Sequence, residues 1–146
     1  MDGQLFNELA YALVLLAWIV LLVTVITKKT YEWMRKKGLP HNVAIYYNRK
    51  LIHAAAGGLV AVLVPYLFSN PLLPFGLALL LAVFTYLPHK TGKLFDWFQD
   101  PENIYEVHFC ITWGLSVLLS WLIFHDMIYA VVPTAFMSFG DGVTGV

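Results

Sequence analysis

Eighteen consecutive residues, Leu9 to Ile26, carry no charge. As an α-helix such a run extends ~27 Å, close to the ~30 Å thickness of a bilayer's hydrocarbon core. Further apolar runs cover Ala54 to Ser69, Leu72 to Leu87 and Phe109 to Phe124. A fifth, Met127 to Phe139, has thirteen residues, short of the ~20 that a full span needs. Charged residues make up only 12% of the 146-residue chain, about half the supply of a soluble domain. The expectation is an all-α, polytopic transmembrane bundle in a single integral-membrane domain. Its roughly five spans are placed at 9–26, 54–69, 72–87, 109–124 and 127–140.

The charges orient it. Seven of the nine basic residues fall between Lys28 and Lys50, and the other two, Lys90 and Lys93, follow the third run. Both loops therefore lie on one face, which the positive-inside rule makes cytoplasmic. The N-terminus, the Asn70-Pro71 turn and the His125-Asp126 turn take the opposite face. Only Asn70 and Pro71 separate the second and third runs, so a tight helical hairpin is expected there. Asp100-Pro101-Glu102 has the N-cap, first-turn proline and first-turn acid of a helix start. It places the start of the fourth helix near Pro101, with Glu106 and His108 at its polar end. Trp33, Tyr46, Tyr47, Phe95, Trp97 and Phe98 read as interfacial anchors without chemistry. No basic residue precedes the first run, so no cleavable secretory signal is expected. The single cysteine, Cys110, excludes a disulfide within the chain and suggests no cysteine zinc site.

Two short elements carry chemistry. The first is Phe139-Gly140-Asp141-Gly142-Val143-Thr144-Gly145, a carboxylate among three glycines at the end of an apolar segment. Glycine lets backbone approach a ligand closely, and an acid at membrane depth marks a functional site. The plain reading is a glycine-rich helix end holding one interfacial acid. The second is Arg49-Lys50-Leu51-Ile52-His53, followed by Ala54-Ala55-Ala56-Gly57-Gly58. On a helix, Arg49, Lys50, His53 and Gly57 fall on one stripe. Here the plain readings are a topogenic basic pair and small residues for close helix packing. His53 lies deeper than an anchor should, and its desolvation needs a partner. Topology puts both elements at one depth on one face, which suits a site for phosphate and magnesium. The carboxylate would hold Mg²⁺, glycine amides would approach phosphate oxygens, and Arg and Lys would neutralise a transferring phosphoryl group.

The pair Arg-Lys-x-x-His at 49–53 and Gly-Asp-Gly at 140–142 resembles the polyprenol kinase family, which comprises dolichol kinases, phytol and farnesol kinases and CTP-dependent diacylglycerol kinases. The resemblance covers roughly residues 45–145. It implies a polytopic membrane enzyme moving the γ-phosphate of a nucleotide, typically CTP, onto an isoprenoid alcohol or diacylglycerol at the cytoplasmic face. By that resemblance Arg49 and Lys50 bind nucleotide phosphates, and Asp141 ligates Mg²⁺. Gly140, Gly142 and Gly145 shape the phosphate loop, and His53 orients or deprotonates the lipid hydroxyl. Glu106, entering from the same face, is the candidate second carboxylate for the metal; its plain reading is a first-turn acid favoured by the helix dipole. Members of the family continue well beyond the Gly-Asp-Gly element, so this chain is expected to be the N-terminal part of a longer domain.

Rival classes are a CTP:lipid-phosphate cytidylyltransferase and a non-enzymatic membrane transporter or scaffold. Against the transporter, the spans carry few intramembrane polar residues besides His53 and Asp141. A bis-histidine haem site would pair His53 with His108. The basic loop is short and explained by topology, so a nucleic-acid partner is not expected. Membrane lipids, the nucleotide and the lipid substrate are the expected partners, with a homo-oligomer left open.

Overall fold

A computed structural model describes residues 3–144. It is an all-α bundle of five helices: α1 Gly3–Lys36, α2 His41–Leu67, α3 Leu72–Thr91, α4 Tyr105–Phe124 and α5 Ile128–Val143. The first four are long and apolar enough to cross a membrane, whereas α5, with 16 residues, is shorter. Large apolar side chains including Leu13, Val14, Tyr66, Ile123, Val132 and Phe136 face outward. Water would not tolerate so much contiguous apolar surface, but lipid does. Inside, Leu15, Ala61, Val64, Ala78, Trp113 and Val117 form one buried core joining α1 to α4.

The expected hairpin between the second and third helices is present: α2 ends at Leu67 and α3 begins at Leu72. Its turn is tied to α1 by Glu8, whose Oε1 accepts from Ser69 N at 3.1 Å and Ser69 Oγ at 2.6 Å. Gly92 (φ 70°) and His125 (φ 53°) close α3 and α4 in the left-handed region. Asp126 Oδ1 accepts from Ile128 N at 2.9 Å at the entry to α5, satisfying an otherwise orphan helix-start donor.

Three boundaries differ from expectation. The second helix begins at His41, well before the apolar run, and carries Arg49, Lys50 and His53 on one continuous helix with it, as their spacing predicts. The fourth helix starts at Tyr105 instead of near Pro101. Asp100 closes a separate turn, accepting from Glu102 N at 2.9 Å and Asn103 Nδ2 at 3.0 Å. Those donors, the Glu102 amide first, hold its carboxyl below the usual aspartate range. Their support is therefore full above the ordinary aspartate pKa and fades as pH falls through the depressed one. The third difference is that Gly140-Asp141-Gly142 is helical, because α5 runs on to Val143.

Two helices widen into π turns, at Leu22–Ile26 in α1 and at His53–Gly58 in α2. A π turn breaks the regular i→i−4 ladder and leaves carbonyls for other donors. In α1, Val23 O accepts from Trp97 Nε1 at 2.8 Å and from Thr27 Oγ1 at 2.6 Å. In α2, Ala55 O accepts from Trp18 Nε1 at 3.0 Å and Gly57 O from Trp113 Nε1 at 3.1 Å. The indoles of α1, α4 and the α3–α4 loop thus bind carbonyls that a regular helix would use itself. Trp97 is accordingly a structural donor and Phe98 a buried residue, not the interfacial anchors their loop position suggests.

The α3–α4 loop is held against α1 and α2 by Asn48, whose Nδ2 donates to Thr27 O and Trp97 O, both at 2.7 Å. This contact puts the α1–α2 and α3–α4 loops at one end of the bundle, as the basic residues suggest.

The glycines at 57 and 58 differ in what they permit. A Cβ at Gly57 would sit 2.7 Å from both Ser138 Oγ and Phe109 Cζ, inside the packed interior. At Gly58 it would meet the Phe139 ring at 2.6 Å, but Phe139 is 42% exposed and can swing outward. Gly57→Ala is therefore expected to cost about 1–3 kcal/mol by overpacking, and Gly58→Ala under about 1 kcal/mol. Thermal unfolding of the two variants in detergent checks this, and equal losses would contradict it.

Candidate functional site

The two elements singled out in the sequence meet. Lys50 and His53 lie three residues apart on α2, hence on one face, and that face packs on the end of α5. Lys50 Nζ donates to the Asp141 carbonyl, and His53 Nδ1 pairs with Asp141 Oδ2. Tyr46, one turn earlier, donates its hydroxyl to Thr144 O at 3.1 Å. The last carbonyls of α5 are thus capped by side chains of another helix, with an ammonium where the helix dipole is negative. This explains why the glycine-rich end stays helical: a cap that α5 lacks in its own sequence comes from α2.

Asp141 is 51% exposed at its side chain, while His53 is buried. Asp141 Oδ1 receives no hydrogen bond from the described residues. The His53 ring lies parallel to Phe109, with centroids 4.0 Å apart and planes 5° apart. That stacking explains His108: its neighbour faces His53, so His108 points some 100° away and is exposed. The bis-histidine arrangement gains no support.

Arg49 parts company with Lys50. Adjacent residues on a helix diverge by about 100°, and the Arg49 guanidinium lies over the Tyr105 ring at 4.6 Å, toward α4. Arg49, His53 and Gly57 keep their four-residue stripe, all three bordering one apolar cleft, and His53 and Gly57 both meet Phe109; Lys50 leaves it for the Asp141 carbonyl.

Gly142 touches α2, since a Cβ there would lie 3.5 Å from Ala54 Cβ, whereas Gly140 borders open space. Packing does not demand glycine at 140, and glycine within a helix costs ~1 kcal/mol relative to alanine. Close approach by a ligand is a use that would offset that cost. Gly145 lies outside the described residues.

Glu106 is engaged elsewhere than at Asp141. Its Oε1 accepts from His89 Nε2 at 2.6 Å and Gln99 Nε2 at 2.8 Å. Gln99, 1% exposed, also donates to Thr85 O at 2.8 Å and accepts from Phe95 N at 3.0 Å. Among the described residues no three of His, Cys, Asp and Glu cluster as metal ligands.

An apolar cleft runs between α1, α2, α3 and α4. One end is bordered by Phe68 and Pro74, the other by Arg49, His53 and Glu106. On α2 its wall extends from Arg49 to Val64, or ~22 Å along the helix axis. The cleft is lined almost wholly by hydrocarbon and aromatic side chains, and its ionisable residues stand together at the basic end. His53 belongs both to this wall and to the Asp141 pair.

Sequence reasoning missed His89, Gln99, Asn48 and Ser138. Ser138 Oγ is buried without a hydrogen-bond partner among the described residues, one turn before Asp141 and against Gly57. The first two sit near or within an aromatic loop that has no periodicity to place them. No protein-family model, curated protein or solved structure matches this chain.

Proposed function

We propose that this chain is the catalytic part of an integral-membrane lipid-alcohol kinase, transferring the γ-phosphate of a nucleotide such as CTP to a long-chain alcohol. One observation carries the reading: a ~22 Å apolar cleft ends in Arg49, His53 and Glu106, and His53 also grips the half-exposed Asp141. Such a cleft suits a single lipid chain, and its polar end brings that chain's headgroup beside cations and a carboxylate. The resemblance of 49–53 and 140–142 to the polyprenol kinases points the same way. By the positive-inside rule this end faces the cytoplasm, where nucleotide is supplied.

Magnesium, which the kinase reading implies, fits the donor chemistry of Asp141. Mg²⁺ is commonly held by one or two carboxylates plus substrate phosphates, and Asp141 offers an exposed carboxylate with Oδ1 unclaimed. Bound there, it would neutralise charge on the transferring phosphoryl group. His53 fixes the Asp141 carboxylate in orientation, and Lys50 fixes the helix end that carries it. Arg49 and Lys50 add positive charge for the nucleotide phosphates. Transfer forms a bond from the alcohol oxygen to the γ-phosphorus and breaks the bond to the β-bridging oxygen, releasing the nucleoside diphosphate. The hydroxyl proton passes to a group bordering the cleft, where His53 and Glu106 are the two acceptors. Catalysis comes mainly from positioning and charge neutralisation.

The test is transfer of label from γ-³²P-CTP to a panel of lipid alcohols by membranes carrying the chain, alone and within any longer product of its gene. An organic-extractable phosphorylated lipid is expected. Label-free CDP-lipid with release of pyrophosphate would favour a cytidylyltransferase, and no product from CTP or ATP in either form would remove the kinase reading.

A further inference from the structure

We infer that Glu106, held by His89 and Gln99, is the group that recognises the headgroup at the polar end of the cleft, by accepting a hydrogen bond from its hydroxyl. The inference rests on the lipid-alcohol reading above and reassigns one role within it, since the motif resemblance gives the hydroxyl to His53. Among the described residues Glu106 is the one carboxylate that borders the cleft. An ionised carboxylate is an acceptor only, with room for about four hydrogen bonds. Oε1 takes two, from His89 and Gln99, while Oε2 receives none from the described residues. Glu106 is 9% exposed, so few water donors reach Oε2, and a hydroxyl entering the cleft supplies one.

The surroundings have the build of a binding site. Gln99 is immobilised through three further-reaching contacts, to Thr85 O, Phe95 N and Glu106 itself. Both its ends are used, so the carboxylate it holds is fixed in direction as well as place. His53 is less suited to the role. Its Nδ1 is given to Asp141 and one ring face to Phe109, so it holds Asp141 and walls the cleft. In transfer, the hydroxyl O–H would break as the oxygen–phosphorus bond forms, with the proton going to Glu106 Oε2. His89 and Gln99 are positioning residues: they act through Glu106 and touch no substrate.

Binding decides this without catalysis. Tritiated hexadecanol is bound to the full chain in lipid nanodiscs and competed with unlabelled hexadecanol or hexadecyl methyl ether, which keeps the chain and oxygen but donates no hydrogen bond. For the unsubstituted chain the ether should compete about 10- to 100-fold more weakly, the range of a hydrogen bond to a buried charge. Glu106→Gln, which keeps the size and an acceptor for Gln99, should shrink that ratio to roughly threefold or less. His89→Asn should shrink it in part. A ratio near one in the unsubstituted chain, where no variant's folding matters, would overturn the inference. A ratio kept by Glu106→Gln but lost by His53→Asn would overturn it while leaving the lipid-alcohol reading standing. No saturable hexadecanol binding at all would overturn both.

Discussion

Replacing Asp141 with Asn is expected to lower phosphoryl transfer about 10²- to 10⁴-fold, the range seen when one charged group at a reacting centre is lost. Folding should be nearly untouched. The side chain is half exposed, and the Asn carbonyl can still accept from His53 Nδ1. The variant thus separates the contact to His53, which the structure shows, from the charge that the proposed kinase reading would direct toward a metal and its phosphates. The check is kcat with CTP and a long-chain alcohol across a magnesium titration, beside a melting curve. Full activity in Asp141→Asn would take the carboxylate's charge out of the chemistry. A collapsed melting temperature would instead make the His53 contact chiefly a clamp between α2 and α5.

The largest loss of stability is expected at Asn48, which carries no proposed chemistry. It is 1% exposed and donates to Thr27 O and Trp97 O at 2.7 Å, while Thr30 Oγ1 donates to its Oδ1 at 2.6 Å. Asn48→Leu leaves Trp97 O without its side-chain donor and Thr30 Oγ1 without Asn48 Oδ1, although Thr30 Oγ1 at 2.9 Å still reaches Thr27 O, so a loss of roughly 2–4 kcal/mol is expected. Because the carbonyl left short belongs to Trp97, the α3–α4 loop should open first. Denaturation in mild detergent measures the loss, and accelerated protease cleavage between residues 92 and 104 locates it. A stability change under about 1 kcal/mol would mean that water or a shifted loop replaces the amide.

Helix number and the gathering of the basic loops at one end were legible because charge-free runs and clustered lysines report the solvent around a chain, which acts on every residue alike. The Lys50–His53–Asp141 cluster was legible for a local reason, since three-residue spacing on α2 survives folding. What escaped depends on partners distant in sequence. The divergence of Lys50 from Arg49 follows from the 100° step between neighbours, which a motif written in a line conceals. The helical course of Gly140–Gly142 contradicts the local stop signal, because the cap arrives from Tyr46 and Lys50 on another helix. The capture of Glu106 by His89 and Gln99 draws on a loop whose path no periodicity encodes. Asp100 misled for a different, local reason: its cap signature was real but served a four-residue turn.

The π turn at His53–Gly58 has a consequence for how α2 is phased. A π turn is in effect one residue more than a regular helix would hold, and it rotates all that precedes it by about 100° relative to all that follows. The membrane-buried half of α2 is locked by Trp18 and Trp113 on Ala55 and Gly57, so the azimuth of the basic half is set by that single surplus residue. Removing one alanine from Ala54-Ala55-Ala56 would leave composition and hydropathy almost unchanged. It would nevertheless turn Lys50 and His53 away from Asp141, as a slipped tooth mistimes a gear.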